Sequence, residues 1–270
     1  MIDIATIFKR KELLWNLVVR TLKIRYKGSA LGFFWTLLTP LAMMVIYYFF
    51  VGILADFRTL SINQLLTGVI FWQFGSMCIG DAPNCIAGYS NLVKKTYFPR
   101  LILPLSMVIA NFINYLLSLG VLFILLVLIG LTGGQQIDLM TVWLLPLVLI
   151  LQLFLVTGIV FIVSSLNVFF KDIAHLITIV MQALFFMTPV IYPLDIVSGR
   201  LADKYPALFA IYILNPLTSL VSLFRKAFLG GIIKIPFIWS FPVSLCFSLV
   251  IFAFGLYVFN RMEPHFADEL

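Results

Sequence analysis

Between two long apolar runs lies a short polar break, Ser90-Asn91-Leu92-Val93-Lys94-Lys95-Thr96-Tyr97-Phe98-Pro99-Arg100. Three cations on a segment pinned by Pro99, with Pro104 close behind, make a charged elbow suited to receiving a mechanical push. The same residues also fit a solvated loop held on one side of a membrane by its positive charge. Proline biases the preceding residue towards an extended backbone, so Phe98 and Leu103 read as joints where helices end or bend.

Covalent chemistry finds few candidates. No G-x-x-x-x-G-K-[ST] phosphate loop is present, and no glycine in the chain is followed by lysine. There is no H-E-x-x-H, and His175 and His265 lie far apart in sequence. No pair of carboxylates sits at a spacing that suggests acid–base work or Mg²⁺ binding on a membrane face. Cys78, Cys85 and Cys246 lack metal-ligand spacing and read as buried small hydrophobes. Neither catalytic nor metal-ligating residues are therefore expected. The apolar runs also lack the ionisable relay of an ion-coupled transporter, and no internal repeat is evident. What remains is a path across a membrane without an engine, so energy for transport must come from a partner.

The elements that would position the elbow follow from composition. Of 270 residues, 63% are hydrophobic and 11% charged, and mean hydropathy is +1.12. Apolar runs of about 20 residues recur, the length that crosses a bilayer. The expected fold is an all-α integral membrane protein with six transmembrane helices, forming one permease domain over residues 1–270. The net charge of +7 comes from basic residues near span ends, a topology signal rather than a nucleic-acid surface. No cleavable signal sequence is expected.

Residues 1–30 form an N-terminal amphipathic interface helix, centred on Phe8–Lys27. Leu14, Leu17, Val18 and Leu22 share one face and Arg20, Lys23 and Lys27 the other. Arg25 falls on the apolar side and would have to snorkel. Such a helix is either a lever along the membrane surface or a simple anchor. Residues 31–193 hold spans one to five: Leu31–Leu54 with Pro40 inside, Ile62–Gly80, Leu105–Leu131, Trp143–Val168 and Ile173–Pro193. Tyr47-Tyr48-Phe49-Phe50, near the end of the first span, is an interfacial aromatic belt or a lining on which sugar rings stack. Asp81 reads as a cap or an interface acid more readily than as a proton site. Asn111, Asn114 and Ser118 make one polar stripe on the third span, adequately explained by hydrogen bonds between helices. Residues 194–234 are too apolar for an ordinary loop and too broken for a span; two short re-entrant outer helices, Ala207–Leu214 and Leu217–Phe228, fit better. Residues 235–260 carry the sixth span, and a short charged tail follows. Twelve of the eighteen lysines and arginines fall on the side of both termini, which puts the N and C termini in the cytoplasm.

Several of these segments resemble one family. Arg25-Tyr26-Lys27-Gly28-Ser29-Ala30-Leu31-Gly32-Phe33-Phe34-Trp35, with Pro40-Leu41, looks like the start of the first span in ABC polysaccharide-export permeases. Asn91-Leu92, Lys94-Lys95 and Phe98-Pro99-Arg100-Leu101-Ile102-Leu103-Pro104 resemble the cytoplasmic coupling segment of that family. Leu166-Asn167-Val168-Phe169-Phe170-Lys171-Asp172-Ile173 is similar to its turn between spans four and five. Pro189-Val190-Ile191-Tyr192-Pro193 and Asn215-Pro216-Leu217-Thr218 with Phe224-Arg225 are similar to its outer end. The matches run in order along nearly the whole chain.

The resemblance implies a permease of the bacterial cytoplasmic (inner) membrane that works as a homodimer with two copies of a separate ABC ATPase subunit. ATP and Mg²⁺ would sit on that partner, and no cofactor on this chain. The cargo would be a polyprenyl-linked polysaccharide such as O-antigen, capsule or teichoic acid. Asn91, Lys94, Lys95, Phe98, Pro99 and Arg100 would couple to the ATPase. Arg20, Lys23, Arg25 and Lys27 could meet pyrophosphate oxygens at the inner surface. Tyr47, Tyr48, Phe71, Trp72, Phe185 and Tyr192 are the candidate aromatic lining of a channel between the first and fifth spans of two subunits. Export of a small lipophile, a membrane enzyme acting on polyprenyl-phosphate sugars, and a scaffold subunit stand as alternatives. The enzyme reading would need Asp81 or Asp172 as an essential carboxylate.

Overall fold

A computed structural model describes residues 10–29, 31–32, 34–50, 61–96, 98–131, 137–201, 204–230 and 237–270. The Phe8–Lys9 start of the N-terminal helix, the first span beyond Phe50, Arg58, Tyr97, the Thr132–Gln136 turn and Lys234 lie outside the described residues. Every regular element described is helical. A bilayer offers the backbone no hydrogen-bond partners, and a helix satisfies its own N–H and C=O groups internally.

The chain runs through α1 (Lys11–Tyr26), α2 (Phe34–Tyr47), α3 (Ile62–Asp81), the short α4 (Asn84–Ala87) and α5 (Ser90–Lys95), then α6 (Ile102–Leu131) and α7 (Leu144–Phe169). It continues through α8 (Ile173–Met187), α9 (Leu194–Leu201), α10 (Pro206–Leu214), α11 (Pro216–Leu229), α12 (Phe237–Met262), a 3₁₀ turn (Glu263–His265) and α13 (Phe266–Glu269). Among the described residues, four helices are long and apolar enough to cross a membrane: α3, α6, α7 and α12 with its continuation. A fifth arises if α10 and α11, bent by 72° at Asn215, count as one broken span. The helices assigned to spans one and five are apolar but shorter, 14 residues for α2 and 15 for α8. The segment before the last span holds three helices rather than two, because α9 precedes the expected pair.

The core is built from α3, α6, α7, α11 and α12. Phe71 and Phe74 of α3, Tyr115 of α6, Phe161 of α7, Phe224 of α11 and Phe259 of α12 are all buried within it. The α7–α12 contact is the closest helix pairing. Side chains added at Gly158 and Gly255 would each collide with the other helix's backbone, so the two glycines let the helices touch main chain to main chain. One polar chain crosses this core: Tyr115 donates to Gln152 Oε1 at 3.0 Å, and Gln152 Nε2 donates to the Phe71 carbonyl at 2.9 Å.

Three expectations are corrected. Leu103 is no joint: α6 already runs from Ile102, and Pro104 sits in its first turn, where a missing N–H costs nothing. The tail is not merely a charged end, since Phe266 is fully buried against Phe169 and Phe259, at ring-centroid distances of 6.1 and 5.4 Å. Cys78 and Cys85 are buried as expected, but Cys246 is exposed on the outer face of α12.

Candidate functional site

Helices α2, α3 and α8 border an open cleft of about 910 Å³. No residue of α8 is buried within the chain; it leans on α3 and α7 and leaves much of its surface exposed. Aromatic rings cluster at one end of the cleft. Phe185 stands 5.5 Å from Tyr47 and 5.6 Å from Trp72, between ring centroids. Towards the other end the wall becomes polar, with Gln73, Ser76, Asn84, His175, Thr178 and Gln182. Aromatic faces alternating with hydrogen-bonding groups suit a carbohydrate, whose C–H faces stack while its hydroxyls exchange hydrogen bonds.

Of the six aromatic residues singled out in the sequence, Tyr47, Trp72 and Phe185 line this cleft. Tyr48 packs beside it in a small cluster with Leu65 and Val190. Phe71 does not face it. Neighbouring helical residues point about 100° apart, so Phe71 is turned into the core, 1% exposed and 5.5 Å from the Phe224 ring. Tyr192 is engaged elsewhere: its hydroxyl donates to the Phe186 carbonyl at 2.6 Å and lies 3.1 Å from that of Tyr212.

At the polar end, the last two residues of α1 add polar contacts to the burial of Leu17 and Val18 that seats this helix on the bundle. Arg25 does not snorkel; its guanidinium forms an ion pair with Asp81, which also accepts from Asn111 Nδ2 at 3.1 Å. The Tyr26 hydroxyl donates to Asn114 Oδ1 at 2.9 Å and sits 2.7 Å from Thr36 Oγ1. Gln73, a cleft residue, reaches the Thr36 carbonyl at 3.4 Å. Asp81 and the Asn111/Asn114 stripe thus serve contacts between helices. Of the four cations considered for an anionic ligand, Arg20, Lys23 and Lys27 are exposed, while Arg25 is committed to Asp81. The Arg20 guanidinium lies over the Tyr89 ring at 5.1 Å. After Gly28 and Gly32, both at positive φ (79° and 48°), the chain turns into α2; this backbone geometry favours glycine.

On the elbow, α5 presents Asn91, Lys94 and Lys95 to solvent and turns Val93 inward. Thr96 is extended, and Phe98 plugs the core at 7% exposure rather than offering itself to a partner. Pro99 and Arg100 are half-buried. The Arg100 N–H donates to Glu263 Oε1 at 3.0 Å, and its guanidinium donates to the Glu263 carbonyl.

The profile of the ABC-2 type transporter family matches residues 12–229. The chain belongs to the ABC-2 type transporter family. The matched segment of this ABC-2 transporter chain holds α1 to α11, and with them both cleft and elbow. It is 30% identical over 261 residues to "O-antigen export system permease protein RfbA" of Klebsiella pneumoniae, covering 96% of this chain and 95% of that protein. It is 28% identical to the protein of the same name from Myxococcus xanthus, over 99% and 98% of the two chains. It is 26% identical to "Polysialic acid transport protein KpsM" of Escherichia coli, over 92% of each. With several long apolar helices besides, this is a multi-pass membrane protein. Among the described residues of this ABC-2 chain no cluster of three metal-ligating side chains exists.

Sequence reasoning missed two contacts here. Arg25 and Asp81 are 56 residues apart; only their shared placement at span ends hinted at a pair. The anchoring of the elbow by Glu263 left no signal in either segment. Arg25→Gln and Asp81→Asn should each loosen α1, and a double-mutant cycle should return a coupling of about 1 kcal/mol, since the pair is partly exposed. The expected readout is roughly five-fold faster amide exchange along residues 11–26, with the rest of the chain unchanged.

Proposed function

We propose that this chain is the transmembrane subunit of an ABC exporter that moves a lipid-linked, O-antigen-like polysaccharide across a bacterial cytoplasmic membrane. Two copies, each with six spans and cytoplasmic termini, pair with two copies of a separate ATPase that binds ATP and Mg²⁺. The observation that carries this reading is the cleft between α2, α3 and α8, aromatic at one end and hydrogen-bonding at the other, in a chain similar along its length to O-antigen export permeases. In a dimer joined through α2 and α8, two such clefts would face one another and make a shared passage. The elbow, with Lys94 and Lys95 free in solvent, is the docking element for the ATPase. Likeness to a polysialic acid transport protein favours a capsule-type polymer as the second reading of the cargo.

The test is ATP hydrolysis by the ATPase subunit co-purified with this chain in lipid. Lys94→Glu/Lys95→Glu should lower co-purification by roughly ten-fold or more, because reversing two docking charges costs several kcal/mol. Pro99→Ala should leave the complex assembled but detach hydrolysis from polymer transport. An ATPase that never binds, with elbow variants indistinguishable from the wild type, would overturn the reading.

A further inference from the structure

From the contacts at the elbow we infer that Glu263 is a positioning residue for energy coupling: it ties the elbow to the end of α12, so that a displacement of the elbow is delivered to the α7–α12 pair as well as to α6. The inference rests on the exporter reading above and assigns a role to the C-terminal tail. Three observations carry it.

The first is the contact itself. Arg100 lies just before α6, where the first backbone N–H groups of a helix have no intrahelical acceptor. The carboxylate of Glu263 takes the Arg100 N–H at 3.0 Å, and a negative charge at a helix N-terminus is favoured by the helix dipole. The Arg100 guanidinium returns to the Glu263 main-chain carbonyl. The two residues are thus joined twice, with Arg100 the donor both times, across 163 positions of sequence.

The second is what stands behind Glu263. It follows Met262, the last residue of α12, without a break. Beyond it Phe266 is fully buried between Phe169 of α7 and Phe259 of α12, and α13 also touches α5. The tail is therefore wedged between the elbow and the α7–α12 pair rather than trailing from it.

The third is the stiffness of what is driven. Where α7 and α12 meet at Gly158 and Gly255 their backbones are in contact, so they shift as a unit. Helix α8, on the far side of the cleft, has no buried residue. A push entering at Lys94 and Lys95 passes through Arg100 and Glu263 to this stiff pair and on to α3, which packs on α7 and walls the cleft opposite α8, so that the cleft changes width.

Glu263→Gln keeps an acceptor oxygen for the Arg100 N–H, and Glu263→Ala removes it. In the full complex with its ATPase, in lipid, Glu263→Ala should assemble normally yet lose at least about five-fold in polymer moved per ATP hydrolysed, and Glu263→Gln should restore most of it. Arg100→Ala removes the other bond, from the guanidinium to the Glu263 carbonyl, and keeps the N–H bond, so the double variant, which loses both, should fall below either single one. A residue that serves only stability would lower complex yield without altering the ratio of transport to hydrolysis. Normal transport per ATP in Glu263→Ala, while Lys94→Glu/Lys95→Glu still abolishes docking, would overturn the inference and leave the exporter reading intact. Absence of any ATPase complex with the wild-type chain would instead sink the exporter reading itself.

Discussion

Arg225→Leu is expected to destabilise the protein by about 3–5 kcal/mol, because one buried and two half-buried carbonyls lose a charged donor at once. Arg225 is 3% exposed within α11. Its Nε donates to the Gln64 carbonyl at 3.1 Å, its Nη1 to that of Tyr192 at 3.2 Å and its Nη2 to that of Val190 at 2.7 Å. No ion pair to Arg225 is present among the described residues. The planar fork of one guanidinium thus joins the start of α3, the segment after α8 and α11. Gly68 makes room for it: a side chain there would collide with the Val190 carbonyl and stand 2.6 Å from Nη2. Leucine fills much of the volume but removes this donor from all three oxygens, of which only that of Gln64 also accepts from the Thr67 hydroxyl, at 3.0 Å. Arg225→Lys should recover only part of the loss, since a single ammonium cannot span three divergent acceptors. Thermal or SDS-titrated unfolding of the purified chain in lipid measures both variants. A leucine variant as stable as the wild type would show that these contacts are dispensable.

The second large effect is expected at Gly255→Leu. Gly255 on α12 and Gly158 on α7 face one another, and a side chain at either would occupy the space of the other helix's main chain. Rotamer adjustment cannot relieve a clash with backbone, so the helices must part. Overpacking of this kind costs about 1–3 kcal/mol in cores that can adjust, and the cost should be at the upper end here. The separation would also open the seat of Phe266, which rests against both helices. Gly120→Leu on α6 is the control, since nothing lies within 4 Å of a side chain added there. Gly255→Leu should sharply lower the yield of folded protein in membranes, whereas Gly120→Leu should leave it unchanged.

Most of the long helices were legible because hydropathy needs no knowledge of neighbours. Helix α3 was expected from Ile62 and is found at Ile62–Asp81; α7 was expected from Trp143 and begins at Leu144. The local rules failed where a longer-range partner decided the outcome. Pro104 suggested a break, but its place in the first turn makes it harmless. Phe71 and Trp72 looked equivalent as aromatic lining, yet only Trp72 faces the cleft, because orientation about α3 depends on where α11 packs. Arg225 entered the sequence reading only as part of a segment resembling the family's outer end; what holds it is a set of carbonyls from two separate stretches, and carbonyls carry no mark in a sequence. The tail read as a charged end because five of its last ten residues are ionisable or histidine, yet Phe266 is buried in the core and Glu263 is bonded to Arg100.

The fastening of α1 also sets an order of events during synthesis. Asp81 leaves the ribosome 56 residues after Arg25, and Asn114 follows Tyr26 by 88. At about 5–20 residues per second, Arg25 waits roughly 3–11 s for its counter-charge. Arg25 is therefore without this partner until α3 is made, and Tyr26 gains its Asn114 acceptor only as α6 follows. The joint closes late, and a ribosome paused between Asp81 and Asn114 would hold a chain in which the charge pair can form while the Tyr26–Asn114 bond cannot.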